Sequence, residues 1–134
     1  MRKLKSRTKI KIIIKSLPVS KNVYQNWHWA KRARYLKMIM WEIWAEILRY
    51  TLRPKKPIKK AKLTFKLYFG TNRKRDSQNY IAGGLIAVTD SLVQLGIIKD
   101  DNYKVIGDPI VELYVDKEYP RTEIIIEELE GRVR

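Results

Sequence analysis

Between Trp27 and Arg53 the chain contains neither glycine nor proline, and Pro54 then stops the run. No other stretch restricts the fold as much. Within it Trp29, Ala33, Leu36, Met40, Ile43/Trp44 and Ile47 recur at i, i+3/i+4. That is the spacing of one face of an α-helix, so a single long helix is expected here. Its second half, MIMWEIWAEIL over residues 38–48, is apolar well beyond one stripe. A helix apolar most of the way round needs cover on more than one side, which points to a second copy of the chain and an obligate homodimer.

The flanking segments alternate instead. KIKIIIK (9–15) sets Ile10, Ile12 and Ile14 against Lys9, Lys11 and Lys15 and reads as a strand. Residues 16–22, with Pro18 and two serines, read as a loop, and the basic stretch 53–60 as a turn. AKLTFKLYF (61–69) places Leu63, Phe65, Leu67 and Phe69 on one side and Lys62, Thr64, Lys66 and Tyr68 on the other. After the loop GTNRKR, Ser77 to Leu95 is expected to be a second, shorter helix that Gly96 ends. Residues 97–109 read as a loop with a short strand near Tyr103–Ile106. IVELYVDKE and TEIIIEEL, separated by YPR, read as an antiparallel hairpin. The expected architecture is one α/β domain over residues 1–134, with a mixed sheet, one long helix and one shorter one.

Charge narrows the function. Residues 1–75 hold 23 Lys or Arg against 2 acids, whereas residues 76–134 hold 6 against 12, for a net charge of +15. Such a field repels itself unless a polyanion relieves it, and nucleic acid is the leading candidate. With no cysteine, disulfides and thiolate zinc sites are excluded; with only His28, so are mechanisms that need several imidazoles. Metal chemistry would have to use oxygen ligands, which suits magnesium or manganese. No membrane span and no signal peptide are read from the apolar segments or the basic start, so a cytoplasmic setting is expected.

The acids in the segment RDSQNYIAGGLIAVTDSLVQLGIIKDD, residues 75–101, are the candidates for such a site. Asp76 opens the second helix, where capping shared with Ser77 is the simpler role. Asp90 lies 14 residues further on, roughly 21 Å along a continuous helix at ~1.5 Å per residue, too far to share a metal with Asp76. On that count it reads as a structural or surface acid. Asp100 and Asp101 follow the glycine-terminated helix in a loop able to fold back beside it.

The pattern RDSQN…DSLVQLGIIKDD resembles the RusA-type Holliday junction resolvases, whose core is R-D-x-D-N, a lysine, D-A-L, a glycine-hydrophobic pair and D-D. LPVSKNVY likewise resembles that family's P-x-S-x-N-x-Y segment, and the basic WAKR helix start fits, so the likeness covers most of the chain. The resemblance implies a homodimer that binds four-way DNA junctions and cuts them symmetrically at an acidic magnesium site, in recombination and repair inside a bacterial, phage or archaeal-virus host cell. It assigns Asp76, Gln78 and Asp101 to the metal and makes Asp76 and Asp101, assisted by Asp100, catalytic. From the charge distribution, Lys31, Arg32, Arg34, Arg73, Lys74 and Arg75 are the expected DNA contacts.

Two positions depart from that pattern. Gln78 stands where the family has its second aspartate, and Ile86 where it has its lysine. An amide lowers the charge of the site by one without ending oxygen coordination. Loss of a transition-state cation commonly costs about two to three orders of magnitude; Lys74, Lys99 and Lys104 are nearby substitutes. The expectation is a metal-dependent endodeoxyribonuclease with a degenerate site. The alternatives are a relative that binds branched DNA without cutting, and a general basic module for RNA or single-stranded DNA.

Three smaller features complete the reading. The four tryptophans are expected to pack, although Trp27 and Trp29 lie beside Lys31, Arg32 and Arg34. His28 is read as an exposed residue at a helix start. Gly83–Gly84 inside a helix costs roughly 1 kcal/mol per glycine relative to alanine, and suggests close approach of another backbone, from a partner subunit or DNA.

Overall fold

Alternation and helical spacing place most of the chain. The computed structural model describes residues 6–50 and 53–129. In chain order they form β1 (Ser6–Ile14), α1 (Lys21–Gln25), α2 (Trp29–Tyr50), β2 (Ala61–Phe69), α3 (Gln78–Ile81), α4 (Leu85–Gln94), α5 (Tyr103–Ile106), β3 (Ile110–Val115) and β4 (Arg121–Leu129). This is one mixed α/β domain with a four-stranded sheet and, among the described residues, five helices. The start of the basic leader (1–5) and the residues just before Arg53 (51–52) lie outside the described residues. No helix among the described residues is long and apolar enough to cross a membrane.

In β2, Ala61, Leu63, Phe65, Leu67 and Phe69 are buried, while Lys62 is exposed and Thr64, Lys66 and Tyr68 are half-buried. Ile10, Ile12 and Ile14 of β1 and Ile124 and Ile126 of β4 join the same core. One sheet face is therefore covered by helices. The other carries a charge ladder in which Lys9 and Lys62 flank Glu127, and Lys66 pairs with Glu123.

The strand order is β1-β4-β2-β3, with β3 parallel to β2 and β4 antiparallel to both β1 and β2. This overturns the expected β3–β4 hairpin: the two strands flank β2 and do not pair. The link between them crosses the end of β2, where Asp116 N–H donates to the Phe69 carbonyl at 2.8 Å. Pro120, with no N–H to give a ladder, lies against Gly70. Arg121 fastens the crossing, donating to Asp116 at 2.9 Å and Glu123 at 2.8 Å with its guanidinium 3.8 Å from the Tyr68 ring centroid.

α2 buries Tyr35, Ile39, Ile43 and Ile47, an i+4 stripe shifted from the expected one. Leu36, Met40 and Trp44 lie half-buried beside it, and Trp29 is exposed. Two further expectations change. Part of the predicted loop 16–22 becomes α1, and the region weighed as a short strand is α5, which Asn102 caps by accepting from Val105 N–H at 3.2 Å.

The helix expected over Ser77–Leu95 is two helices, α3 and α4, with a turn at Ala82–Gly84. The glycine pair does mark close backbone approach, but the backbone is the chain's own. A Cβ on Gly83 would lie 2.5 Å from the Val19 carbonyl oxygen. On Gly84 it would lie 2.5 Å from the Tyr35 hydroxyl and 2.6 Å from Val19 N. Gly84 N–H donates to the Val19 carbonyl at 2.8 Å, and Val19 N–H donates to Tyr35 Oη at 3.2 Å. The segment before α1 is thereby docked on the start of α4.

Candidate nucleic-acid interface and acidic pair

The end of α4 explains how two acids distant in sequence meet. Gly96 adopts φ 76°; its N–H donates to Val93 O at 3.0 Å and that of Ile97 to Leu92 O at 2.9 Å. This pairing is a Schellman turn, which needs a residue free to enter the left-handed region. Ile97 and Ile98 are then buried, and Ile98 is bridged to Ile58, with Lys99 N–H donating to Ile58 O at 2.9 Å. The chain so reversed returns Asp101 to the side of α4.

There it meets Asp90. Burial, and then the nearby Asp101 carboxyl, raise the Asp90 pKa from its ordinary value. Asp90, read from the sequence as a structural acid, is instead half of an acidic pair. Asp101 also lines a pocket of about 170 Å³ with Ile81, Ile86 and Thr89 of α3 and α4 and Ile106 of α5. Ile86 thus shares a pocket with Asp101.

The other acids are engaged locally. Asp76 accepts from Gln78 N–H at 3.0 Å through one carboxylate oxygen, which is the capping role, and Ser77 makes no side-chain cap. Gln78 is exposed. Asp100 accepts from Asp101 N–H at 2.7 Å and from Asn102 Nδ2 at 2.9 Å. Those bonds, the backbone one first, hold its carboxyl below its usual range. Among the described residues no three acidic or histidine side chains converge as a metal cluster, so Asp76 does not join the Asp90–Asp101 pair.

The basic side chains divide into fastened and free. Arg32 donates to the carbonyls of Tyr24 at 3.1 Å and Gln25 at 2.9 Å, closing the end of α1, and lies 5.2 Å from the Tyr24 ring centroid. Arg75 donates to Thr71 O at 2.9 Å and Thr71 Oγ1 at 2.7 Å and sits 3.9 Å over Phe69, so it staples its own loop. Lys31 rides on Trp27 at 4.9 Å, while Arg34, Arg73 and Lys74 are exposed.

Tyr24 responds to charges of both signs. Burial raises its hydroxyl pKa, Arg32 opposes that rise and Asp90 adds to it, so the phenol lies in the fields of both groups. Sequence reasoning missed this role and the Asp90–Asp101 contact, although Gly96 signalled the chain reversal that produces the contact.

Chemically, two neighbouring carboxyls repel each other when both are charged, and a hard cation relieves that repulsion. Magnesium is commonly held by one or two carboxylates plus substrate phosphates, so Asp90 and Asp101 fit such an ion. Compared with known protein families, and with curated proteins one by one, the chain matches none.

Proposed function

We propose that this protein binds branched DNA, as the RusA-type Holliday junction resolvases it resembles do, and hydrolyses phosphodiesters there with magnesium or manganese. The observation that carries the reading is the proximity of Asp90 to Asp101, which lines a pocket beside α4. Neighbouring acids are unfavourable in isolation and become favourable when a divalent ion and a phosphate complete them. Asp90 and Asp101 would hold the ion; Asp76 and Gln78 remain candidate ligands on resemblance alone. When bound, the ion supplies Lewis-acid activation of the phosphodiester. Lys31, Arg34, Arg73 and Lys74 bind and orient the DNA backbone through phosphates.

The protein acts as a homodimer in this reading. The outer side of α2 exposes Met38 by 44%, Trp41 by 69% and Leu48 by 61%. Lys37, Met40, Trp41 and Trp44 line an apolar groove of about 250 Å³ with Leu95. A second copy covers that surface, and sedimentation showing a stable monomer at micromolar concentration would end the dimer reading. A cytoplasmic role in recombination or repair follows from the same resemblance.

A second reading, binding without cutting, is favoured by Ile86, an apolar side chain in the pocket where the resolvases carry a lysine. The deciding experiment is cleavage of a four-way junction with magnesium or manganese, with duplex DNA and RNA as controls. Selective cutting supports the nuclease; tight junction binding without cutting under either metal establishes the second reading. Equal binding to RNA and duplex removes both in favour of a general basic module.

A further inference from the structure

The four tryptophans do not share one job. Trp27 is half-buried and packs edge-on against Tyr35, with ring centroids 5.1 Å apart. Trp44 is half-buried against the core. Trp29, the first residue of α2, is 73% exposed, so its indole contributes little to the core. Nor does it belong to the outer apolar face of α2. Trp41 is 12 residues further on, about 18 Å along the axis at ~1.5 Å per residue and about 120° round it at ~3.6 residues per turn.

The indole is nonetheless placed with some precision. Ala30 N–H donates to His28 Nδ1 at 3.3 Å, which fixes the imidazole at the mouth of α2. The imidazole centroid lies 5.4 Å from that of Trp29, the rings inclined at 39°. The adjoining sequence is cationic or neutral. Residues 16–41 include Lys21, Lys31, Arg32, Arg34 and Lys37 and not one acid, and Lys21, Lys31, Arg34 and Lys37 are exposed. An exposed, oriented aromatic within a field of positive charge is the chemistry that receives a nucleobase from a polyanionic strand, because every base offers a π-face and every nucleotide a phosphate.

We propose that Trp29 is a stacking platform for an unpaired nucleobase of DNA, the flanking lysines and arginine holding the phosphates on either side. This rests on the DNA-binding reading above and deepens it: discrimination of branched from continuous DNA would arise here, since a base in an intact duplex cannot reach the indole without unstacking.

The test uses the full chain and a DNA duplex carrying 2-aminopurine in an unpaired overhang, with the same duplex lacking the overhang and a four-way junction alongside. Stacking on Trp29 predicts quenching of 2-aminopurine by the native protein. Trp29→Ala should abolish that quenching and weaken overhang binding about 5- to 100-fold, with less than twofold change on the blunt duplex. Trp29→Phe, which keeps a ring, should retain most of both. Equal losses on overhang and blunt duplex, or no loss on either, overturn the platform while leaving the DNA-binding reading intact. Failure of the native protein to bind any of the three DNAs removes that reading and the platform with it. Two further outcomes reassign the indole and also overturn the proposal. One is loss of dimer in Trp29→Ala by sedimentation. The other is binding to phosphatidylglycerol-containing vesicles that Trp29→Ala abolishes while its DNA binding is unchanged.

Discussion

Two acidic clusters in this protein have opposite electrostatics. Near the start of β4, an interior strand of the sheet, Glu123 is 4% exposed, yet it meets Arg121 at 2.8 Å and Lys11 at 3.2 Å. Burial pushes its carboxyl up, but the bonds from Arg121 and Lys11 outweigh burial and leave it below its usual range. Asp116 is likewise lowered, chiefly by its hydrogen bond from Arg121. At the end of α4, burial raises Asp90 and the neighbour that adds to the rise is another acid. The first cluster is complete within the chain and stabilises the β3–β4 crossing. No cation is among the groups that shift Asp90, and a carboxyl in that condition beside a pocket is a candidate for a ligand that supplies one.

The largest expected effect tests the second cluster. Asp101→Asn should lower junction cleavage by about two to three orders of magnitude, with junction affinity equal or higher, since one negative charge near phosphates is gone. Asp90→Asn should do the same, an outcome not expected if Asp90 were a structural acid. Asp76→Asn separates the two ligand sets. A comparable loss of cutting keeps Asp76 in the site, and unchanged cutting reduces it to the cap of α3.

The seat of α4 is the next point at which to break the comparison. Gly83→Ala forces a methyl to within 2.5 Å of a backbone oxygen and 2.7 Å of Lys21 N. The side chain cannot yield, so the loop or the helix must. A loss of about 3 kcal/mol in unfolding free energy is expected by urea titration. A loss below about 0.5 kcal/mol would show that the segment before α1 is not docked on α4.

The two clusters should also titrate in opposite senses. Glu123 and Asp116 have depressed pKa values in the folded state, so their contribution is present above the unfolded carboxylate range and is lost as pH falls below about 4. Asp90 has a raised folded pKa, so its favourable contribution exists at acid pH and is lost as pH rises through that value. Glu123→Gln should therefore cost about 1.5–3 kcal/mol at neutral pH, and the cost should shrink on acidification. Asp90→Asn should stabilise at neutral pH, and its advantage should vanish in acid. Thermal unfolding of both variants between pH 3 and 7 gives the two slopes, and slopes of one sign would contradict the assignment.

How far these clusters were legible in the sequence follows from the range of the physics involved. β2 was readable to its ends because a two-residue repeat is a local property of a strand with one buried face. α2 was readable as a helix, but its buried stripe was not. Ile39, Ile43 and Tyr35 take the sheet side, whereas Trp29 and Met40, equally apolar in the text, do not. Strand pairing was misread at YPR because a five-residue link can close a hairpin or cross a strand end. The choice rests with Arg121 and its partners on three segments. The neighbour of Asp90 was not read because it depends on the reversal at Gly96, which returns Asp101 beside α4.

The smallest expected effect offers the sharpest comparison, since it would convert the second cluster into the first. Ile86 is 39% exposed, lines the pocket with Asp101, and lies one helical turn before Asp90. A lysine there stands at i, i+4 to Asp90, a pair worth about 0.2–0.5 kcal/mol on a helix surface. Its stem can cover the apolar wall that the isoleucine vacates. Ile86→Lys should therefore lower the Asp90 pKa and raise stability slightly at neutral pH, measurable by carboxylate NMR titration alongside urea unfolding. Combined with Gln78→Asp, it returns both positions to the resolvase pattern and should raise junction cleavage, one change adding ligand charge and the other a cation beside the phosphate. If the native protein cuts well and the double variant cuts more slowly, Gln78 and Ile86 are not impaired positions. If the Asp90 pKa does not move in Ile86→Lys, the lysine does not reach the pair, and the pocket is not the place where the missing cation belongs.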